Sequence, residues 1–320
     1  MMETLFGALV FPGVLFVLVW AVFVFWFFRK FLALIHKRVG PYYNGPMGTM
    51  QTFYDFSKLL TKESITPKGI DPLLFSSIPI LAPVIAITPV AFIPWNGVGT
   101  ELVSTEFGVL ALIVFVGIEP FLLFLTGFGS NNKYSILGGI RILTQTISME
   151  TPFFLSALAP ALLFGTMNLS EIVEQTNVIS ALILLPSFVL FFISVLGVLE
   201  QPPFNIPDAE QEVVYGFYTE YSGTNYFLLK LAEFAEFLIV FAMASVLFFG
   251  GTKGFFFDSF WCLLLKLLIM AMFMLLIRAT TPRLRVSQML NFSWSYLLPI
   301  SFMNLAFVIF AKIYFLGGVQ

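Results

Sequence analysis

The sequence predicts an all-α integral membrane protein with eight transmembrane helices and amphipathic helices in its inner-side loops. Three observations carry this. Hydrophobic residues make up 59% of the chain and charged ones only 11%, against about 25% charged in soluble domains. The apolar residues gather into eight runs, near 5–28, 73–95, 107–127, 147–167, 178–199, 226–249, 256–277 and 294–317, each close to the roughly 20 residues that cross a bilayer. The basic residues, finally, are segregated to one set of loops. Residues 1–320 are read as a single transmembrane domain.

The first run follows Met1-Met2-Glu3 directly, without a basic start or a small-residue cleavage site, so it reads as a retained span. It is not an Arg-rich, acid-poor import sequence either; together with 41 Phe residues this points to an organelle-encoded inner-membrane protein, with a bacterial plasma membrane as the alternative. Orientation follows from the cations. Arg29, Lys30, Lys37, Arg38, Lys58, Lys62 and Lys68 follow run one, Lys133 and Arg141 follow run three, and Arg278, Arg283 and Arg285 follow run seven, whereas the opposite loops carry Lys253. The loops after odd-numbered spans therefore face the cytoplasm or matrix, and the amino terminus faces the intermembrane-space side.

The inner loops contain structure. Gly40-Pro41-Tyr42-Tyr43-Asn44-Gly45-Pro46 is a turn or extended segment, since each proline disfavours helix at its predecessor. Beyond it Met50, Phe53, Leu59 and Leu60 fall on one side of a helical pattern, with Gln51, Asp55, Lys58 and Lys62 on the other. This predicts an amphipathic helix at the interface, and an anchor is the plainest reading of it. Thr66-Pro67-Lys68-Gly69 and Asp71-Pro72 end the segment. A second loop helix is predicted over 130–146, capped by Ser130-Asn131-Asn132, with Arg141, Gln145 and Ser148 on one face.

Cys262 is the one cysteine and His36 the one histidine, which excludes a disulfide framework, cysteine-ligated iron–sulfur clusters and histidine-rich metal or haem sites within this chain. Acids at lipid depth are the informative feature. Glu119, Glu150, Glu233 and Glu236 all fall within spans, where an ionised carboxylate costs roughly 2.5–3.5 kcal/mol on insertion scales. Glu233 and Glu236 are three residues apart and share a helical face. Two close carboxylates do not both ionise readily, which suits a proton relay; the competing reading is a structural pair with Lys230 or Lys266. Glu233 is read as relay, Glu236 stands even between the two, and Glu119 is read as structural, having no polar companion in sequence.

The stretch 198–225 concentrates Glu200, Asp208, Glu210, Glu212 and Glu220 without a Lys or Arg. Asn205-Ile206-Pro207-Asp208 fits a helix start, where the dipole favours Asp208 and Glu210. That structural account does not reach Glu212 or Glu220. Pro202, Pro203 and Phe204 form a rigid aromatic bend against which a flat, carbonyl-bearing ligand could lie.

Pro203-Phe204-Asn205-Ile206-Pro207-Asp208-Ala209-Glu210-Gln211-Glu212, followed by Tyr218-Thr219-Glu220-Tyr221-Ser222-Gly223, resembles the signature loop of subunit 1 of NADH:ubiquinone oxidoreductase (respiratory complex I), the quinone-site membrane subunit. Arg38-Val39-Gly40-Pro41, Gly45-Pro46, Asp55 and Lys58 are similar to that family's first inner loop. Ser130-Asn131-Asn132-Lys133-Tyr134, Arg141, Gln145 to Ser148 and Glu150 resemble its second, and Arg278-Ala279, Pro282-Arg283, Arg285 and Gln288 its last. Several motifs in the same order make the likeness specific along the whole chain.

The resemblance implies eight spans and the membrane end of a quinone chamber, with ubiquinone as substrate. It implies partners in the peripheral-arm quinone module and the neighbouring membrane-arm subunits, where NADH, FMN and iron–sulfur clusters reside. It implies an acidic path through Asp55, Glu150, Asp208, Glu210, Glu212 and Glu233, which couples quinone reduction to proton translocation; Glu200, Glu220 and Glu236 are added to that path here. Arg38, Lys58, Phe204, Tyr218, Arg278 and Arg283 are placed in the quinone-binding and docking loops. The sequence departs from the family pattern at Phe28, Val198, Gln201, Asn205 and Ser287, where charged residues are usual. A stand-alone transporter and a passive anchoring subunit are the competing functions.

Overall fold

A computed structural model describes residues 7, 9–207, 214–254 and 258–316. Asp208, Glu210 and Glu212 lie outside the described residues. All regular structure among the described residues is helical.

Pro12 and Gly13 interrupt the first apolar run, so helix α1 spans Val14–Ile35 and carries Arg29 and Lys30 near its carboxyl end. The loop after it closes back on the amphipathic helix α2, Thr49–Thr61. Gly48 allows this closure: its φ is +79°, and a Cβ there would sit 2.2 Å from the Pro41 carbonyl oxygen. Asp71 caps α3, Pro72–Ile87, by accepting from the amides of Leu73 and Leu74 at 3.1 and 3.4 Å. A 3-10 turn, Thr88–Phe92, extends it.

Helices α4, Gly108–Gly129, and α5, Lys133–Phe164, form a hairpin. The loop helix expected at 130–146 and the span expected at 147–167 are one continuous helix, because no breaker separates them and Asn132 caps the start through the Tyr134 amide. With 32 residues α5 is about 48 Å long, longer than the roughly 30 Å hydrocarbon layer, so one end projects beyond it. Pro152 lies inside α5 and lacks the N–H that would bond the Ser148 carbonyl; the Ser293 hydroxyl donates to that carbonyl instead.

The run expected at 178–199 is two helices after a short α6, Leu169–Gln175: α7, Val178–Ile183, and α8, Leu185–Val198, the second begun by Pro186. The central element is α9, Gly223–Phe249. It packs on α1, α2, α3 and α8 and is buried around nearly its whole circumference, as a helix apolar on all faces requires. Helix α10, Phe260–Thr280, also flanks it. The Lys266 ammonium on α10 donates to the carbonyls of Phe249, Gly251 and Lys253 at 2.7, 2.7 and 2.6 Å. Lys266 thus caps the carboxyl end of α9 rather than pairing with its acids. The last span combines α11, Val286–Phe292, a π turn at Ser293–Leu297, α12, Leu298–Ala311, and a second π turn at Lys312–Leu316.

Among the described residues, seven helical stretches are long and apolar enough to cross a membrane, and α8 is a shorter apolar eighth. The all-α, multi-pass fold class expected from composition is what the chain adopts. The outward faces of α1, α10 and α12 are apolar and exposed, for example at Val19, Trp261, Leu265 and Met303, which fits a lipid or neighbouring-protein environment.

Candidate functional site

The site is built where α1, α2 and α9 meet the loops at 38–44 and 200–205. Between them lies a cavity of about 950 Å³ whose wall includes Phe25, Phe28 and Phe237 on one side and Arg29, Asp55 and Lys230 on another. Arg38, Lys58, Glu200, Glu233 and Arg278 also line it. Sequence positions as distant as 38 and 278 are thereby gathered into one chamber.

Helix α2 turns its polar face towards this chamber and leaves Met50, Phe53 and Leu60 exposed. The polar residues first read as anchors of an interfacial helix therefore have a second occupation. Arg29 Nη1 meets Asp55 Oδ2 at 2.6 Å, and its guanidinium lies 4.0 Å from the centre of the Phe25 ring. Gln51 Nε2 donates to Asp55 Oδ1 at 3.0 Å, and Asn44 Nδ2 donates to Gln51 Oε1. Lys30 holds the loop by donating to the Pro41 carbonyl at 3.1 Å. Phe28, where the resembled family carries an acid, is buried edge-on against Phe237 at 5.4 Å.

The opposite wall joins two loops. Arg278 Nη1 donates to Gln201 Oε1 at 2.8 Å, Arg283 Nη2 to the Ile206 carbonyl at 3.2 Å, and the Leu284 amide to the Pro203 carbonyl at 3.0 Å. Phe204 is buried against the Phe292 ring at 6.3 Å and does not line the cavity. Its placement makes it a wedge between loops rather than a surface for a ligand. Val198 is buried, whereas Glu200 reaches the cavity.

Tyr215, Tyr226, Lys230 and Glu233 line the cavity together, and Tyr218 lies against the charged pair. Lys230 Nζ donates to Glu233 Oε2 at 2.7 Å, so one of the two structural pairings weighed from sequence is present. The ammonium lies 4.2 Å from the Tyr218 ring centre and 6.0 Å from that of Tyr226. The Tyr218 hydroxyl approaches Glu233 at 3.5 Å, and Tyr215 and Tyr226 share a hydroxyl–hydroxyl bond of 2.8 Å. Tyr218 is positioned by a close crossing: a Cβ on Gly138 of α5 would lie 2.7 Å from the Phe217 amide nitrogen, so the glycine lets the 216–218 turn seat on the helix. Glu220 is not among the cavity-lining residues; it accepts from Asn132 Nδ2, tying the same turn to the start of α5.

Beyond Glu233 the carboxylates continue into the bundle. Glu236 is one turn further along α9 and buried, and Glu119 on α4 is buried as well. Glu119 lies within electrostatic reach of Glu233 and Glu200, and Glu236 within reach of Glu119, Glu233 and Glu150. Oε1 atoms of Glu119, Glu150 and Glu236 are buried without a hydrogen-bond partner among the described residues. Buried carboxylates with unpartnered oxygens can exchange protons where water joins them. Glu119 is the residue whose surroundings sequence reasoning missed: its companions, Glu233 on α9 and Glu200 before it, are distant in the sequence. Tyr215 and Tyr226 were missed too, and only their aromatic density near a run of acids could have marked them. Among the described residues, no group of three or more His, Cys, Asp or Glu side chains is arranged to hold a metal ion.

Residues 8–309 match the family described as NADH dehydrogenase. The chain is 36% identical over 299 residues to the NADH-quinone oxidoreductase H subunit of Dehalococcoides mccartyi (strain CBDB1), covering 92% of this chain and 83% of that protein. The protein of the same name in Brevibacillus brevis is 36% identical over 296 residues, covering 90% and 88%. That of Thermomicrobium roseum is 34% identical over 313 residues, covering 92% of both.

Proposed function

The chain belongs to the NADH dehydrogenase family, whose members named above are H subunits of NADH-quinone oxidoreductase, and from that membership we propose that it forms the membrane part of a quinone chamber and the start of a proton path. The observation that carries this reading is that Glu233 lines the cavity while its charge also bears on the buried Glu119 and Glu236. The aromatic wall of Phe25, Phe28 and Phe237 offers a flat apolar surface, and Arg29, Arg38, Lys58 and Arg278 offer donors for carbonyl oxygens. Such a mixture suits a quinone headgroup with an apolar tail. Glu233 lines that chamber, and inside the bundle Glu119 and Glu236 lie within electrostatic reach of it and of one another, with Glu150 within reach of Glu236.

In this mechanism the subunits holding NADH, FMN and iron–sulfur clusters deliver electrons to the quinone, and residues of this chain bind it and handle protons. Reduction changes the charge in the chamber, and the balance of charge along Glu200, Glu233, Glu119, Glu236 and Glu150 shifts in response. Asp208, Glu210 and Glu212 join this path by their place in the sequence motif that carries the resemblance. Arg38, Arg278 and Arg283 brace the loops on which the peripheral-arm subunits dock, and Phe204 and Tyr218 keep those loops in place. The bacterial origin of the relatives named above supports a bacterial plasma membrane, the alternative to a mitochondrial inner membrane.

The test is Glu233→Gln in the assembled complex, with quinone reductase activity and proton pumping measured together. Loss of pumping with assembly intact supports the path, whereas unchanged coupling assigns the chain an anchoring role.

A further inference from the structure

The carboxylates lying beyond Glu233 have no cation among their hydrogen-bonding partners within the described residues, yet Glu233 itself has Lys230 at 2.7 Å. This lysine is one turn away on the same helix, partly buried, and lines the cavity. From one position its ammonium touches two kinds of partner. One is the Glu233 carboxylate; the other is the face of Tyr218, 4.2 Å from the ring centre, with the Tyr226 ring at 6.0 Å. Tyr226 is itself fixed by its bond to the Tyr215 hydroxyl, so the aromatic seat is built in advance. A cation over an aromatic face keeps part of its stabilisation when its carboxylate partner is neutralised. A bare lysine would instead have to return to water.

We propose that Lys230 is a positioning residue that acts through Glu233 as an exchangeable counter-charge. It pairs with the carboxylate when Glu233 is ionised, and rests over Tyr218 and Tyr226 when a proton from water in the cavity occupies Glu233. The exchange keeps a cation beside the carboxyl group while the proton passes, which lowers the cost of ionising it at the edge of the bundle. Other charges face the pair: Glu119 from α4, Glu236 from α9, and Arg29, Asp55, Glu200 and Arg278 around the cavity. They set the background field, and Lys230 is the cation that bonds the Glu233 carboxylate itself.

This inference rests on the proposed path through Glu233, and the experiment separates the two. Four complexes are compared for quinone reduction and protons pumped per NADH: Lys230→Met, Lys230→Arg, Glu233→Gln and the double substitution Lys230→Met/Glu233→Gln. Lys230→Met is expected to lower proton-coupled turnover about five- to tenfold, and Lys230→Arg to stay within about twofold of the parent. In the Glu233→Gln background Lys230→Met is expected to add nothing. Equal losses in both backgrounds, a silent Lys230→Met beside an impaired Glu233→Gln, or no rescue by arginine each overturn the counter-charge role. A silent Glu233→Gln overturns the path itself.

Discussion

Arg29 and Asp55 meet at 2.6 Å between α1 and α2, and the loop at 41–48 closes around their contact. The pair is partly exposed, so solvent screening limits it to no more than about 1 kcal/mol of stability. Its consequence is geometric. Asp55 also accepts from Gln51, and Gln51 from Asn44, so one carboxylate orients three polar groups at the cavity wall.

Asp55→Asn keeps the size of the side chain and removes its charge. The complex is expected to assemble with its thermal midpoint almost unchanged, while the quinone KM rises several-fold because Arg29 is no longer held against α2. Steady-state kinetics across a range of quinone concentrations checks this. A changed midpoint with an unchanged KM would make the pair a structural brace.

Ser293→Ala strips the donor that serves the Ser148 carbonyl, which Pro152 leaves without its helical partner. An unsatisfied buried carbonyl costs about 1–3 kcal/mol, so the thermal midpoint of the complex is expected to fall. Pro152→Ala restores an N–H to that carbonyl. In its presence the Ser293→Ala penalty is expected to shrink, and a double-mutant cycle on thermal stability measures the difference.

What the sequence revealed divides along a physical line. Spanning segments were legible because lipid imposes a length and an apolarity on each stretch by itself, and the Lys230–Glu233 pair was legible because both lie on one helix face. The cap on α5 was readable from Asn132. Contacts between distant segments were not. Gln201 has no visible role until Arg278 arrives from 77 positions away. Phe204 reads as a ligand surface until Phe292 covers it. The break at Leu184 was hidden because an apolar run has the same composition whether it forms one helix or two.

Glu119 shows the same limit most sharply and gives the most decisive test of the proposed path. On α4 it stands alone among apolar residues, which favours a structural reading. In the fold it is 1% exposed and lies within electrostatic reach of Glu233, Glu200 and Glu236. A structural role needs the shape and hydrogen-bonding capacity of the side chain, both of which glutamine preserves. A proton-carrying role needs an exchangeable proton, which glutamine lacks. Glu119→Gln is therefore expected to leave assembly and thermal midpoint near those of the parent while protons pumped per NADH fall by about tenfold or more. Pumping measured in proteoliposomes, beside a thermal melt of the same preparation, separates the two. Intact pumping with glutamine would return Glu119 to packing, and the path would then have to pass from Glu233 to Glu236 along α9 alone.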